Sequence, residues 1–404
     1  MKTKKTKSQG DLEQVMQAPE TKTARVLREI FSTSASTTFF AVLASFIFGG
    51  ILIAIANQDV QKAFSYFFAN PGDSFLALWN AVAGAYDAMF RGAIFNYKSG
   101  DVLKGLTSIT NTLAFATPIV LSGLGLAVAF RSGLFNIGAN GQIIFGAMLS
   151  GWVAIYVQAP WYVLFPTAVL AGLIGGAIWG GIVGLLKATT GANEVIVTIM
   201  LNYIAVYLLG YLLKTPVLKA PESINPVSSP VQDAAKFPLV FGEGYRLHTG
   251  FLVMLAAVAF VWWLLSRSTL GFQFRALGHN PNAARVAGIN IGLTYILVMA
   301  ISGGLSGLAG ASQILGTERV LTTGVAASYG IDAITVALLG RSKPLGVLAA
   351  GILFGALRAG AVTMQASENV PSEIVLVVQS MIVLFIAAPP LVRAIFRLPK
   401  GEKK

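Results

Sequence analysis

The feature that most constrains this chain is a series of apolar runs, each about long enough to cross a bilayer as a helix. A run of about 18 or more apolar residues spans the hydrocarbon core in helical form. Charged residues make up only 11% of the chain and cluster between the runs, whereas a typical soluble domain is about 25% charged. Because lipid-exposed backbone must satisfy its own hydrogen bonds, the pattern predicts an all-α integral membrane protein.

About ten of these runs are predicted to cross the membrane within a transmembrane domain that covers residues 37–395. The predicted spans are residues 37–56, 108–130, 137–157, 161–186, 195–213, 250–266, 291–315, 331–339, 345–361 and 374–395. The eighth run is short for a straight crossing. Eight crossings are therefore the alternative, if this run and one neighbour enter and leave on the same side.

The distribution of Lys and Arg predicts which side of the membrane each segment occupies. Basic residues are enriched in cytoplasmic segments, and the arrangement that satisfies this rule places both termini in the cytoplasm. Residues 1–36 and 396–404 are then cytoplasmic tails, 57–107 and 214–248 are extracytoplasmic insertions, and 267–290 form a cytoplasmic loop. The net charge of +12 is accordingly interpreted as a topology signal and not as a nucleic-acid interface.

Several kinds of chemistry are missing from the sequence. With no cysteine in the chain, disulfides, thiolate metal sites and a cysteine nucleophile are excluded. No Gly-x-x-x-x-Gly-Lys-Ser/Thr phosphate loop occurs. A membrane enzyme would need a convergent acid, base or metal cluster inside the spans, which the few ionisable residues there disfavour. We therefore predict no catalytic activity, no metal site and no cofactor bound by this chain.

The most informative loop is residues 269–289, TLGFQFRALGHNPNAARVAGI. Gly278 is predicted to end a first short helix, because glycine suits a C-terminal cap. Asn280 is a good N-cap for a second short helix, with Pro281 at its first position. The loop is thus predicted to form a helix–turn–helix, and its small residues offer a surface to which a partner protein can bind. From the residues alone, an amphipathic connector between two spans is the alternative.

This loop resembles the coupling loop of permease subunits from bacterial ATP-binding-cassette importers. Further segments are similar to the branch of that family that handles simple sugars and nucleosides: 133–142 (GLFNIGANGQ), 191–203 (GANEVIVTIMLNY), 301–310 (ISGGLSGLAG) and 333–346 (AITVALLGRSKPLG). The resemblance covers roughly residues 105–395, and the first two segments point to the nucleoside subgroup. One departure is Asn140, which stands where that subgroup usually has an acidic residue.

The resemblance implies a permease subunit in the bacterial plasma membrane, with a fold like the type II permeases of cobalamin importers. Such a subunit forms half of a translocation pathway for nucleosides. Its expected partners are an ATPase that binds ATP and Mg²⁺, a second homologous permease and an extracytoplasmic substrate-binding lipoprotein. Simple sugars such as ribose or galactose are the alternative substrates. An ion-coupled secondary transporter is a further alternative, for which Asp332 is the candidate intramembrane carboxylate.

Polar side chains near spans are costly unless they are used, so they are candidates for the substrate pathway, together with nearby aromatic rings. The candidates are Asn111, Phe115, Asn136, Asn140, Gln142, Asn202, Tyr203, Ser302 and Gln313. Hydrogen bonding between helices is the alternative for each polar member. The residues expected to serve ATPase coupling are Gly271, Arg275, Gly278, Asn280, Ala283, Ala284, Arg285 and Gly288. Glu194 is expected to face the cytoplasmic gate or the ATPase.

Overall fold

The computed structural model describes residues 34–396, which are predominantly helical and contain no β-strand. The α-helices are α1 (Ser34–Ala56), α2 (Gln58–Ser65), α3 (Pro71–Ala93), α4 (Val102–Gly105), α5 (Thr107–Arg131), α6 (Ala139–Tyr156), α7 (Trp161–Thr190), α8 (Glu194–Leu212), α9 (Gly250–Arg267), α10 (Thr269–His279), α11 (Pro281–Val286), α12 (Ile291–Ser312), α13 (Tyr329–Leu339), α14 (Pro344–Glu368), α15 (Glu373–Ala387) and α16 (Pro389–Ile395). The predicted tails, 1–36 and 396–404, lie outside the described residues except for positions 34–36 and 396.

Every predicted span falls on a helix, which confirms the all-α membrane class. Seven helices among the described residues are long and apolar enough to cross a membrane. They are α1, α5 with α4, α7, α8, α9, α12 with the turn that follows it, and α14. The other three predicted spans correspond to α6, to the short α13, and to α15 with α16. The number of full crossings, eight or ten, stays a prediction.

Local sequence signals explain where the helices begin and end. Gly191 ends α7 in a left-handed conformation, with φ of 71°, which glycine adopts without strain. Asn193 caps α8 by accepting a hydrogen bond from the Val195 amide, and Asn290 caps α12 through the Leu293 amide. After α12 the helix widens into a π-helical turn over Gln313–Thr317. Such turns are rare and occur frequently at functional sites.

Glycine positions allow α7 and α12 to approach very closely. A Cβ atom added at Gly176 would lie 2.1 Å from the Gly303 carbonyl oxygen, and one at Gly303 would lie 2.2 Å from the Gly176 oxygen. Gly180 and Gly307 continue this contact along both helices. Helices in lipid pack through such small residues, because no hydrophobic effect draws them together. The many glycines therefore serve helix packing.

The chain divides into two compact units. The first comprises residues 1–61 and 373–404, of which the described part includes α1, α15 and α16; Ala41, Phe385 and Val392 form its small core. The second comprises residues 62–372 and contains every predicted site residue. In this second unit the buried Arg91 pairs with Asp87 at 2.9 Å and lies 3.9 Å from Glu368, so it joins α3 to α14.

The helices of the second unit run between two ends of one bundle. At the first end, named here the coupling end, Gly133 lies against Gly278, and the Arg131 side chain donates to the Ser342 carbonyl at 3.0 Å. At the opposite end the insertion 214–249 packs on the turn after α12. Its Phe237 amide donates to the Leu315 carbonyl at 3.0 Å. The two ends are separated by α12, about 33 Å long at 1.5 Å per residue.

Candidate functional site

The predicted helix–turn–helix is present at the coupling end as α10 and α11. Ser268 caps α10 by accepting from the Gly271 amide at 2.9 Å. Asn280 caps α11 by accepting from the Asn282 and Ala283 amides at 2.9 and 3.2 Å. Gly288 follows with φ of 82° and no neighbour within 4 Å of an added Cβ. The local sequence therefore predicted α11 and its Asn280 cap correctly.

The prediction that Gly278 ends the first helix is wrong. The helix continues to His279, and Gly278 lies within it. A Cβ atom at Gly278 would lie 2.4 Å from the Arg131 carbonyl oxygen and 2.9 Å from the Ser132 carbonyl carbon. Glycine is needed there because α10 crosses the chain at the end of α5. Glycine is favoured both at the C-terminal cap of a helix and where two segments of backbone pack closely. Only the three-dimensional packing shows which of the two applies to Gly278.

Three other predicted coupling residues hold the segment in place. The Arg275 guanidinium donates to the Leu265 carbonyl at the end of α9. At Gly271 a Cβ atom would lie 1.8 Å from the Leu264 carbonyl oxygen, so α10 packs directly on the last turn of α9. Ala284 is buried with Leu277 in a small core beneath the segment. Arg275, Gly271 and Ala284 therefore fix the position of α10 and α11.

The outer surface of α11 is exposed. Ala283, Arg285, Ala287 and Gly288 are all exposed, and Val286 is 90% exposed. Val286 protrudes from this short helix, and Arg285 and several small residues lie beside it. Together they form a compact surface that another protein can cover. The exposed residues of α11 and the turn after it, 283 and 285–288, are called the α11 surface below.

Three of the predicted pathway residues form one buried hydrogen-bond network. The Asn136 amide group donates to Ser302 Oγ at 2.9 Å and to Gln142 Oε1 at 3.2 Å. Its oxygen accepts from the Gly138 backbone amide at 2.8 Å. All three side chains are 0–1% exposed. The network joins the break before α6 to α6 itself and to α12, and it satisfies polar groups that are costly when buried alone.

Asn140 and Asn202 make similar contacts beside this network. Asn140 Oδ1 accepts from the Gly330 amide at 3.0 Å, which joins α6 to the start of α13. Asn202 on α8 accepts from the Gly141 amide at 2.8 Å and donates to the Ile137 carbonyl at 2.9 Å. Asn202 thus satisfies backbone groups that the break between α5 and α6 leaves open, and Asn140 does the same at the start of α13. The neutral amide at position 140 can accept here without placing a charge inside the unit.

The remaining pathway candidates are dispersed. Tyr203 is 59% exposed on α8 and does not join the network. Gln313 is 1% exposed at the start of the π-helical turn, and its Oε1 has no hydrogen-bond partner among the described residues. Asn111 and Phe115 on α5 line a small pocket with four residues that were not among the predicted pathway residues, Ala114, Arg246, Thr317 and Tyr329.

A larger cavity of about 490 Å³ opens beside that pocket, at the end opposite the coupling end. It is lined by Leu239, Glu243, Gly244, Tyr245, Arg246, Gly316, Thr317 and Arg319. Its residues come from the insertion 214–249 and from the turn after α12. The cavity is within the range of about 300–1,000 Å³ typical of small-molecule pockets. It is called the outer cavity below.

His248 supports the wall of the outer cavity from behind. It is 1% exposed, its ring packs 5.3 Å from Phe237, and an added Cβ at Gly316 would lie 2.4 Å from its ring. Its Nδ1 accepts from the Gly250 amide at 3.2 Å. Burial, together with the positive charge of Arg319, lowers the pKa of His248 to about 4. His248 is therefore neutral at physiological pH and holds the loop against the start of α9.

Two oppositely charged residues inside the second unit, Arg358 and Asp332, form an ion pair. Arg358 lies 2.7 Å from Asp332, donates to Ser328 Oγ, and places its guanidinium 4.4 Å from the centroid of the Tyr329 ring. At the coupling end, Glu194 is similarly paired with Lys187 at 2.6 Å. Asp332 is thus engaged in a structural ion pair. Among the described residues, no group of three His, Asp or Glu side chains could hold a metal ion.

A family model described as the permease component of branched-chain amino acid transport systems matches residues 108–387 of the chain. The match includes the polar network, the outer cavity, and α10 and α11. It begins at the start of α5 and ends with α15, and therefore leaves out α1 to α4 and α16.

Several relatives match nearly nine-tenths of the chain or more. A guanosine ABC transporter permease of Bacillus subtilis is 33% identical over 90% of this chain and 95% of its own. A nucleoside ABC transporter permease of Lactococcus lactis is 31% identical over 89% of this chain and 93% of its own. A glucose ABC transporter permease of Haloferax volcanii is 31% identical over 87% and 86%. No solved structure matches the chain.

Proposed function

The chain belongs to the family of permease components of ABC transport systems, and from this premise we propose that it forms half of a translocation pathway for nucleosides. The observation that most directly supports nucleosides is the similarity, over about nine-tenths of both chains, to permeases named for guanosine and for nucleosides. The pathway is completed by a second homologous permease. An extracytoplasmic binding lipoprotein delivers the substrate.

Glucose-type sugars are the second candidate substrate class. The Haloferax volcanii relative is named for glucose and is similar over almost the same length. A nucleoside contains a ribose, so hydroxyl-binding groups alone do not distinguish the two classes. A site that binds the base distinguishes nucleosides from sugars, because an aromatic base requires a flat slot and hydrogen-bonding groups for its edges.

In our proposal a separate ATPase binds ATP and Mg²⁺ and docks on the α11 surface. The support is the exposure of Val286 and its small neighbours on α11. This helix packs through Ala284 beside α10, which the Arg275 and Gly271 contacts attach to α9. A rigid helix transmits a push from a bound partner to the helices it contacts. Through Gly278 and Gly133, α10 contacts the break before α6, which leads directly to the buried network around Asn136.

The coupling end therefore faces the cytoplasm in this proposal, and both termini lie on the same side. The outer cavity then faces the outside of the cell, where the lipoprotein releases its cargo. The substrate-pathway role of Asn111, Phe115, Asn136, Asn140, Gln142, Asn202, Tyr203, Ser302 and Gln313 also remains a proposal. The contacts of Asn136, Asn140 and Asn202 fit a structural role at least equally well.

Uptake by a bacterium without its own nucleoside importers tests the function. The chain is co-expressed with its ATPase, its second permease and its lipoprotein, and uptake of radiolabelled guanosine, ribose and glucose is measured. We expect guanosine uptake that stops when ATP is depleted and the proton gradient is maintained. An ATPase variant without hydrolysis is the matched control. Uptake that continues without ATP, or uptake of sugars alone, contradicts the proposal.

A further inference from the structure

The outer cavity contains more positive charge than its own side chains neutralise. Arg246 and Arg319 both line it, and neither has a carboxylate within 4 Å among the described residues. Glu243 is the acidic residue in its lining. Guanidinium groups are planar forks that bind pairs of acceptor atoms. Two guanidinium groups with no described carboxylate within 4 Å, together with the Glu243 carboxylate, offer donors and an acceptor to a polar ligand.

The outer cavity is also preformed, because contacts within the protein hold its lining in place. The Tyr245 hydroxyl donates to the Leu103 carbonyl at 3.1 Å, which anchors this part of the insertion to α4. The Val240 amide donates to the Leu247 carbonyl at 2.9 Å, so the chain on either side of residues 241–246 is joined. The Arg246 guanidinium lies 6.0 Å from the centroid of the Phe115 ring. These contacts limit the freedom of the lining before any ligand arrives.

We propose that the outer cavity binds the base of a 6-oxopurine nucleoside, such as guanosine or inosine, and disfavours adenosine. A guanine base presents O6 and N7 as neighbouring acceptors, the pair that arginine most commonly binds in a bidentate manner. Adenine presents an amino group in place of O6, which would face the arginine donors unfavourably. The N1 and N2 donors of guanine suit the Glu243 carboxylate, and the Tyr245 ring provides a stacking face.

A path from this cavity into the unit runs past Arg246 and Thr317, because both residues also line the small pocket with Asn111 and Phe115. Tyr329 forms another wall of that pocket and is held by the Arg358–Asp332 pair. The pocket itself has room for about one water molecule. It is therefore closed to a nucleoside in this state, and the outer cavity is the place where a base can be recognised before the path opens.

The inference deepens the proposed function and rests on it, so its test measures binding apart from transport. The permease complex is purified without the lipoprotein, and its thermal unfolding is followed at rising guanosine, inosine or adenosine concentration. Binding to the folded state raises the midpoint. We expect guanosine and inosine to bind on the order of tenfold more tightly than adenosine, the discrimination typical of one bidentate contact.

Two substitutions locate the binding. Arg246→Lys and Arg319→Lys keep the positive charge but remove the paired donors of the guanidinium group. We expect at least one of the two substitutions to weaken guanosine binding on the order of tenfold. Glu243→Gln should weaken guanosine more than inosine, because inosine has no N2 amino group. Lys236→Met is the matched control, since Lys236 pairs with Asp233 in the same insertion and does not line the cavity.

The results of these measurements separate the cavity assignment from the proposed function. Equal binding of the three nucleosides, or guanosine binding unchanged in both arginine variants, overturns the inference. When the lipoprotein is added back to the purified variants and ATP hydrolysis is measured, an equal fall in lipoprotein-stimulated ATPase activity for every substrate would instead identify the arginines as a protein-docking site. If cells take up guanosine and the purified complex binds none, the cavity assignment fails and the proposed function stands. If cells take up no nucleoside at all, the proposed function itself fails.

Discussion

Arg358 on α14 and Asp332 on α13 form an ion pair in which the guanidinium nitrogen lies 2.7 Å from the carboxylate oxygen. The two side chains are 15% and 9% exposed. At this distance the Asp332 carboxylate is already paired with a cation and is not free to bind a coupling ion. The pair therefore counts against an ion-coupled transporter, for which Asp332 was the candidate group.

Removing one partner of this pair should destabilise the protein strongly. Arg358→Met leaves Asp332 buried without a counter-ion, at an expected cost of about 3–5 kcal/mol. The double variant Arg358→Met with Asp332→Leu should recover most of that loss, because no buried charge is left. Thermal unfolding of the purified complex measures both effects. Lys236→Met breaks the exposed Lys236–Asp233 pair and should change little, as exposed pairs generally do. Equal midpoints for the single and double variants would contradict this account.

The close approach at Gly278 predicts a strong difference between two glycines of the same region. Gly278→Ala introduces a methyl group 2.4 Å from the Arg131 carbonyl oxygen, so α10 must move away from the end of α5. We expect a loss of about 1–3 kcal/mol, typical of overpacking, and weaker coupling of ATP hydrolysis to transport. Gly292→Ala on α12 is the control, because its new methyl would lie 3.6 Å from Ala188, an ordinary contact. Normal coupled transport by Gly278→Ala would show that the contact is not needed.

The helices and the coupling segment could be predicted from the sequence because their signals are local. An apolar run specifies a membrane helix by its length alone. Asn280 followed by Pro281 specifies a helix start within three residues, and the structure confirms it. The role of Gly278 was mistaken because the atom that excludes a side chain there belongs to Arg131, more than a hundred residues away in the chain.

The outer cavity could not be predicted for the same reason. It forms because backbone groups of the insertion 214–249 pair with the turn after α12, as in the hydrogen bond from the Val231 amide to the Arg319 carbonyl. No periodicity in the Pro-rich and Ser-rich insertion indicates that pairing. The only sequence feature that indicated the cavity was the position of its two arginines. Arg246 comes just before the predicted span 250–266, and Arg319 comes just after the predicted span 291–315. Either arginine alone is typical of an ordinary loop.

The buried network around Asn136 predicts a cost in stability when that side chain is removed. In Asn136→Ala, Gln142 and Ser302 lose a partner while remaining buried, for which we expect a loss of about 1–3 kcal/mol. Ser150→Ala is the matched control, because Ser150 is fully buried and its Oγ has no partner among the described residues. Thermal unfolding tests the cost. A change in the guanosine KM without a change in stability would instead favour contact with substrate.

The depressed pKa of His248 predicts a dependence of stability on pH. In the folded chain His248 stays neutral down to about pH 4, whereas in the unfolded chain it takes up a proton near pH 6.5. The unfolded state therefore binds more protons between these values, and stability should fall by up to about 3 kcal/mol as the pH drops through this window. His248→Asn should remove this part of the dependence. His279→Asn, at the exposed second histidine, is the control. Identical pH profiles of the wild type and His248→Asn would refute the assignment.

The α11 surface predicts a loss of transport without a loss of folding. Val286 is 90% exposed, so Val286→Asp leaves the packing of the permease intact and places a charge where the ATPase is proposed to dock. We expect near-normal membrane levels and thermal unfolding, with guanosine uptake and ATPase recovery on co-purification both reduced on the order of tenfold, as for a central interface residue. Ile224→Asp is the matched control, because Ile224 is 98% exposed in the insertion at the opposite end. Wild-type uptake in Val286→Asp, or an equal loss in Ile224→Asp, would show that the α11 surface is not the place where the ATPase binds.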